Sequence, residues 1–426
     1  TRHLQDQLFG KDLPVVRSAL NAPLQSALLK GRSNYLCWHR MGIAATDGKQ
    51  LSGRQLHELE QVRAWSARTH SGDVAELGAV PEDSAVWPRV TSTVENCLGQ
   101  ECEYFQDCFV VKARRQAQDA DIVVINHHLL FADMVLKEEG FGELLPGADA
   151  FIIDEAHQLP GVASVFFGVS LSSHQLRDLV RDTRLEQLRE AGDMQDLPDA
   201  ADKLESITHQ LRLALGQTDR RAAWSEVAGD VALQSALQQL AECLQQLLDW
   251  LEIAAERGKG LESCRARAAL LCERLTLLMN SASSEYIHWF ETFRTSFRLY
   301  LTPLNVAPVF RSCMEALPSA WVFTSATLAV GDSFEHFAGQ LGLDDARRLK
   351  LDSPFDYQHN ALLYLPENMP APNERHYVDA VVACARDVLE ASAGRAFVLF
   401  TSHSALQSAA AQLAVTLDYP LLVQGS

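Results

Sequence analysis

The chain has no apolar run near the roughly 18 to 20 residues that a membrane span needs. Its N-terminus shows no basic stretch leading into an apolar one, so nothing addresses it outside the cytosol. It lacks a fixed-period repeat and a long low-complexity tract, which argues against a solenoid or a disordered tail. It also lacks an excess of positive charge: 37 Lys and Arg stand against 55 Asp and Glu, a net −18. That excludes a wholly basic nucleic-acid coat but not a local basic groove, because net charge reports the long-range field and not any one patch. Nine cysteines, an odd number without a secretion signal, make a disulfide framework improbable and metal or cluster ligation worth testing. With 426 residues, 47% of them hydrophobic, the chain can bury several cores in a soluble, multidomain protein.

Short apolar runs bounded by polar residues predict buried strands of a parallel sheet at Asp121–Asn126, Ala150–Asp154, Trp321–Ser325 and Ala396–Thr401. Alternating with helical stretches they indicate α/β domains, in which ligands collect at the carboxyl ends of the strands. From about Ser172 to Met279 the pattern changes to leucine-rich segments at helical spacing, a helical insertion. Residues Lys30–Arg115 form a separate block rich in Gly, Ser, Cys and Trp. Its eleven basic and eleven acidic side chains make it relatively basic for this chain.

Asp154, Glu155 and His157 follow the Ala150 strand directly. Such a group suits metal-assisted phosphoryl transfer: one carboxylate holds Mg²⁺, usually through water, and its neighbour orients or deprotonates the attacking water. The same acids would also suit the positive end of a following helix. Thr324, Ser325, Ala326 and Thr327 end another strand, where small hydroxyls relay hydrogen bonds or simply form a turn or cap.

The cysteines group as one plus three: Cys37 alone, then Cys97-x4-Cys102-x5-Cys108. Four thiolates suit an iron-sulfur cubane or a structural zinc, although zinc sites more often bring paired C-x₂₋₄-C knuckles. Cys243, Cys264, Cys272, Cys313 and Cys384 share no spacing and read as buried thiols. Around the four lie Tyr35, Trp38, Tyr104 and Phe105 with Lys30, Arg32, Arg40, Lys112, Arg114 and Arg115. Aromatic faces and cations together bind single strands; Tyr104 and Phe105 serve equally as packing for the cluster. Asn126-His127-His128 has no third ligand near in sequence and reads as a motor or DNA-contacting element. His288-Trp289-Phe290 reads as apolar core at the base of the insertion.

The pairing of Asp154-Glu155-Ala156-His157 with Ser325-Ala326-Thr327 resembles the superfamily 2 helicases. With the one-plus-three cysteines, the chain resembles their XPD/DinG-like iron-sulfur DNA helicases, and the bacterial DinG and YoaA members in particular. Thr1–Leu8, Ser353–Tyr357 and Leu399–Ser402 also resemble segments of that family, so the likeness runs over essentially the whole chain. It implies RecA-like parallel-sheet motor domains with an inserted iron-sulfur domain and a mainly helical arch. The first motor domain would comprise residues 1–29, 116–165 and 301–332, the cluster domain 30–115, the arch 166–300 and the second motor domain 333–426. It implies a 4Fe-4S cluster on Cys37, Cys97, Cys102 and Cys108, and ATP and Mg²⁺ at Asp154 and Glu155, with His157 in the catalytic group. Thr324, Ser325, Ala326 and Thr327 would couple that site to DNA, and Thr1, Gln5, Tyr35, Trp38, Arg114, Arg115, Asn126, His127, Thr401 and Ser402 would contact it. The partners implied are single-stranded or forked DNA and replication or repair proteins in a bacterial cytoplasm, at the nucleoid, with 5′ to 3′ translocation.

The glycine-rich GxxxxGK(S/T) loop that cradles nucleotide phosphates is absent from the sequence. The resemblance places it ahead of Thr1 and an arginine-bearing motif beyond Ser426; both ends look cut, and the 426 residues alone are not expected to turn over ATP. Two other readings stay open: a DNA-stimulated ATPase or nuclease without unwinding, and a redox-responsive, cluster-containing DNA-binding module.

Overall fold

The computed structural model describes residues 2–21, 23–46, 52–138, 145–280, 285–317 and 319–424. Thr1, among the expected DNA contacts, lies outside them. The chain forms two compact units, Thr1–Arg348 and Leu349–Ser426.

In the first unit α1 (Arg2–Gln7) and α2 (Leu13–Leu20) lead into β1 (Ser26–Leu28). The cysteine-bearing block follows, with α3 (Trp38–Thr46), α4 (Gly53–Ser66), α5 (Trp87–Val90) and α6 (Phe109–Gln118). The chain then returns as β2 (Ile122–Val124), parallel to β1 in the register Ser26↔Ile122. A capping box starts α4, where Ser52 Oγ accepts from Gln55 N (3.3 Å) and Gln55 Oε1 from Ser52 N (2.9 Å). After β2 come α7 (His127–Glu138), β3 (Ala150–Ile153) and α8 (Leu159–Phe166). One apolar core runs beneath these elements, from Ala27 to Leu341 in sequence but omitting the insertion.

The insertion has its own core. It starts at β4 (Val169–Ser172) and comprises α9 (Ser173–Glu190), α10 (Asp196–Ala214), β5 (Arg220–Ala223), α11 (Val231–Ala254), α12 (Lys259–Asn280), β6 (Tyr286–Thr292) and β7 (Phe297–Pro303). Leu233, Leu237, Leu240, Leu244, Leu247 and Leu251 recur every three or four residues along α11, so one stripe of that helix is buried. The helical expectation is incomplete here, because β4-β7-β6-β5 make a four-stranded antiparallel sheet against the helices. After it come α13 (Ala307–Glu315), β8 (Ala320–Phe323) and α14 (Glu335–Leu341).

β8 lies parallel to β3, from Ala150↔Ala320 to Ile153↔Phe323. These strands are less buried than their apolar sequences predict: Ile152 is 74% and Val322 50% exposed, so only one face is covered. Among the described residues the parallel strands form two separate pairs. Of the five remaining cysteines only Cys264 and Cys313 are buried; Cys243, Cys272 and Cys384 are half-buried.

The second unit holds α15 (Tyr357–Asn360), α16 (Tyr377–Ala391) and α17 (His403–Thr416), with a small core of Val382, Leu389, Ala409 and Leu413. The strand expected at Ala396–Thr401 is not formed. Apolar character does not make a strand without a ladder partner; no described segment pairs with it, and Phe397 is 96% exposed. No described helix is long and apolar enough to cross a membrane.

His288 sits half-buried in the insertion, its ring stacked on Trp224 at 4.3 Å and its Nε2 without a hydrogen-bond partner. Burial pulls its pKa from the ordinary 6.5 to about 4. Between those values the unfolded chain takes up a proton that the folded chain refuses, so stability falls as pH is lowered through that window. His288→Phe keeps a stacked ring and removes the proton. The Tm of that variant should therefore fall less than wild type between pH 7 and pH 4.5; parallel falls would show that His288 does not set the slope.

Candidate functional site

The β3–β8 ladder brings together segments 170 residues apart. Phe151 and Trp321 stack across it at 4.3 Å, and the pairing continues past the strands: Thr324 N donates to Ile153 O (2.8 Å) and Ala156 N to Thr324 O (3.0 Å). Glu155 then turns the chain with φ 49° and ψ 41°, a left-handed conformation that costs a non-glycine residue energy and is concentrated at functional sites. Its carboxylate makes no capping bond to the short helical turn that follows, which disfavours a plain cap. It faces His157 and Ser325 instead.

His157 Nδ1 lies 2.8 Å from Ser325 Oγ and 3.2 Å from Glu155 Oε2, and Ser325 Oγ is 3.4 Å from the same carboxylate oxygen. A carboxylate only accepts, so the serine hydroxyl donates to Glu155. Ser325 Oγ in turn accepts from Thr327 N (3.2 Å) and from a protonated His157 Nδ1. Asp154, Thr324, Ala326 and Thr327 are exposed around this trio. Both carboxylates are open to solvent.

His127 Nε2 donates to the Asp154 carbonyl at 2.9 Å, and burial, more than any neighbouring charge, lowers the His127 pKa and keeps the ring neutral. Asn126 Oδ1 accepts from Leu129 N (2.8 Å) to cap α7, while its Nδ2 reaches Gln5 Oε1 at 3.5 Å. Gln5 is only 5% exposed. His127 thus ties the end of β2 to the end of β3, and Asn126 ties it to Gln5 of α1. Ser402, in the second unit, caps α17 by accepting from Ala405 N (3.1 Å), beside an exposed Thr401.

Cys37 lies just before α3 and Cys108 just before α6, and the rings that follow them, Trp38 and Phe109, stack at 5.5 Å. This contact draws the distant cysteine to the trio. The Cys37 thiol is pushed up to about 11, first by burial and then by charge on Cys97, Cys102 and Cys108. Burial also raises Cys102, with Cys97 and Cys108 adding to it. Arg32 Nη1 lies 2.9 Å from Cys97 Sγ, and the half-buried Arg114 guanidinium is near Cys97 and Cys108. Among the described residues no three His, Cys, Asp or Glu side chains sit close enough to hold a single metal ion. A zinc would need its thiolates within about 2.3 Å of one centre. The four thiols are unbridged and charge on Cys97, Cys102 and Cys108 is felt at Cys37, with the Arg32 and Arg114 cations beside the trio, a donor set of the kind that holds a metal or a cluster.

Several residues expected at DNA are taken up by this packing. Tyr35 is 4% exposed and its hydroxyl accepts from Lys30 N (3.1 Å), leaving no face for a base. Lys30 is itself buried between Asp6 (2.8 Å) and Asp73 (2.7 Å). Arg40 pairs with Asp182 at 3.0 Å, which Arg267 holds from the other side at 2.8 Å. Lys112, Arg115 and Tyr104 remain exposed. Asp182 and Arg267 escape the sequence reading; the one signal is that Asp182 falls on the buried stripe of α9 with Leu179, Val180 and Thr183.

Two strand ends sharing a carboxylate, imidazole and hydroxyl, together with a four-thiol group, define the class as an α/β motor with a cysteine domain inserted. No protein-family model matches the chain. It is 44% identical over 425 residues to the ATP-dependent DNA helicase YoaA of Escherichia coli K12, covering all of this chain and 67% of that protein. It is 40% identical over 426 residues to YoaA of Haemophilus influenzae, again with 67% of that protein covered. To the ATP-dependent helicase DinG of Mycobacterium tuberculosis it is 29% identical over 449 positions, 99% of this chain and 66% of that one. A solved structure of S. tokodaii Xpd4 superimposes over 97% of this chain and 74% of its own with a TM-score of 0.36 at 12% identity, so the relationship rests on the sequence matches. The chain belongs to the YoaA and DinG family of DNA helicases and spans about two thirds of the length of these relatives.

Proposed function

We propose that the chain supplies the cluster-bearing part of a motor that couples ATP hydrolysis to 5′ to 3′ movement along single-stranded DNA and to duplex unwinding, in replication or repair in a bacterial cytoplasm. The observation that carries this is the hydrogen-bonded group of Glu155, His157 and Ser325 across the β3–β8 ladder. Asp154 would hold Mg²⁺ through water, and the ion would supply charge neutralisation at the phosphates. Glu155, beside it, orients the attacking water and takes its proton. His157 senses the carboxylate's state through Nδ1, and Ser325, which shares that proton network, passes it to the Ala326-Thr327 turn.

Cys37, Cys97, Cys102 and Cys108 would hold a 4Fe-4S cluster, which would supply a staple for a domain otherwise tied by short helical turns. The phosphate loop such a motor requires is not among these 426 residues, so turnover belongs to a protein that carries it. A relative in Bacillus subtilis, 24% identical over 95% of this chain and 48% of its own length, is named a 3′-5′ exonuclease DinG. Product analysis on forked DNA separates strand release from degradation.

In a full-length protein, Glu155→Gln should lower ATP hydrolysis by about 10² to 10⁴ with the fold retained; unwinding that survives the change would sink the assigned role. In protein purified without oxygen, about four irons and four sulfides per chain are expected, and Cys102→Ser should lose them. One zinc and no sulfide would overturn the cluster.

A further inference from the structure

The four-stranded sheet of the insertion has two faces of opposite character. Side chains alternate along a strand, and Leu171, Phe290, Phe297, Leu299 and Leu301 point into the helical core. The opposite face carries Arg221 of β5, Trp289 of β6 and Arg298 and Tyr300 of β7. Trp289 and Tyr300 are paired in register, and their rings stack at 4.0 Å with 9° between planes. The Arg221 guanidinium lies over Trp289 at 4.1 Å, and Trp289 Nε1 donates to Thr302 Oγ1 at 2.9 Å. Three strands thus contribute one ordered stack, Arg221 on Trp289 on Tyr300.

Among the described residues no further ring stacks on Tyr300. Its register partner on the edge strand β4 is Ser170, too small to cover a ring. Cross-strand aromatic pairs commonly serve only to stabilise a sheet. Here, however, Arg298, which lies over the Phe293 ring at 5.6 Å and beside the Tyr300 hydroxyl, is exposed, and the Arg221 side chain at the other end of the stack is 71% exposed, in a chain of net charge −18. The acid on this face, Glu291, is already engaged by Tyr300 Oη at 3.3 Å and faces Arg221 at 4.0 Å.

We infer that this face is a second contact for single-stranded DNA, separate from the strand ends of the motor: one unpaired base stacks on the free face of Tyr300, and Arg298 and Arg221 hold the flanking phosphates. A duplex keeps its base faces stacked inside, so a flat aromatic end selects unpaired nucleotides. The inference rests on the DNA reading above and assigns that substrate a place on the insertion.

The test is fluorescence anisotropy of a labelled oligothymidylate with the whole chain, at several salt concentrations. Tyr300→Ala should weaken binding about tenfold while Tyr300→Phe retains it, since a ring and not a hydroxyl is required. Arg221→Gln with Arg298→Gln should reduce the slope of log affinity against log salt by about 1.4, the value for two lost phosphate contacts to a single strand. A bromouracil-substituted strand should photocrosslink to the wild-type peptide carrying Tyr300, a readout independent of variant folding. Wild-type affinity in all three variants, with crosslinks mapping elsewhere, overturns the site while leaving the DNA reading intact. If wild type binds no oligothymidylate at all, the DNA reading fails and this inference fails with it.

Discussion

The parallel ladder between β3 and β8 is the constraint on which the site depends. Glu155 and Ser325 lie 170 residues apart in sequence, and pairing Ile153 with Phe323 places both at one strand end. Closing so long a loop costs entropy that must be recovered by contacts. The insertion limits this problem by closing on itself: its first strand pairs with its last, Val169 with Leu301, so the chain leaves and returns at adjacent points. With a separate core of its own, the insertion can be large without distorting the ladder. The cysteine block uses the same device, leaving after β1 and returning at its parallel partner β2.

These two excursions are joined by charge. Arg40, three residues after Cys37, and Arg267 of α12 grip Asp182 of α9 from either side, all three nearly dry. Burial works against an ionised Asp182, yet Arg40, Arg267 and Arg181 together hold its carboxyl below the ordinary range. Removing one member of such a group leaves an unpaired buried charge, a cost of about 3–5 kcal/mol. The helix that follows Cys37 is therefore tied to α9 and α12 of the insertion by a buried ion-pair group.

What was legible in the sequence is what chemistry writes locally. Asp154, Glu155 and His157 are contiguous with their strand, and the Cys97, Cys102 and Cys108 trio is compact, so type and spacing sufficed. Long-range pairing was not legible. Arg220–Ala223 has no strand character of its own and becomes β5 only because β6 lies beside it. Ala396–Thr401 shows the converse, strongly apolar yet without a ladder. Tyr35, Trp38 and Lys30 looked like DNA contacts because aromatic and cationic residues have the same composition whether they meet a nucleotide or each other. In the structure Tyr35 and Lys30 are buried, the latter between two aspartates, while Trp38 is half-buried and stacks on Phe109.

His157 and Ser325 are proposed to act as one link between the carboxylates and the Ala326-Thr327 turn. A double-mutant cycle on a full-length protein, with His157→Ala and Ser325→Ala alone and together, reads it as base pairs unwound per ATP hydrolysed. If the two residues form a single link, each change lowers that ratio and the double variant is no worse than either alone. Effects that multiply, or a ratio that does not move, would contradict the link and leave the hydrogen bond between them a packing contact.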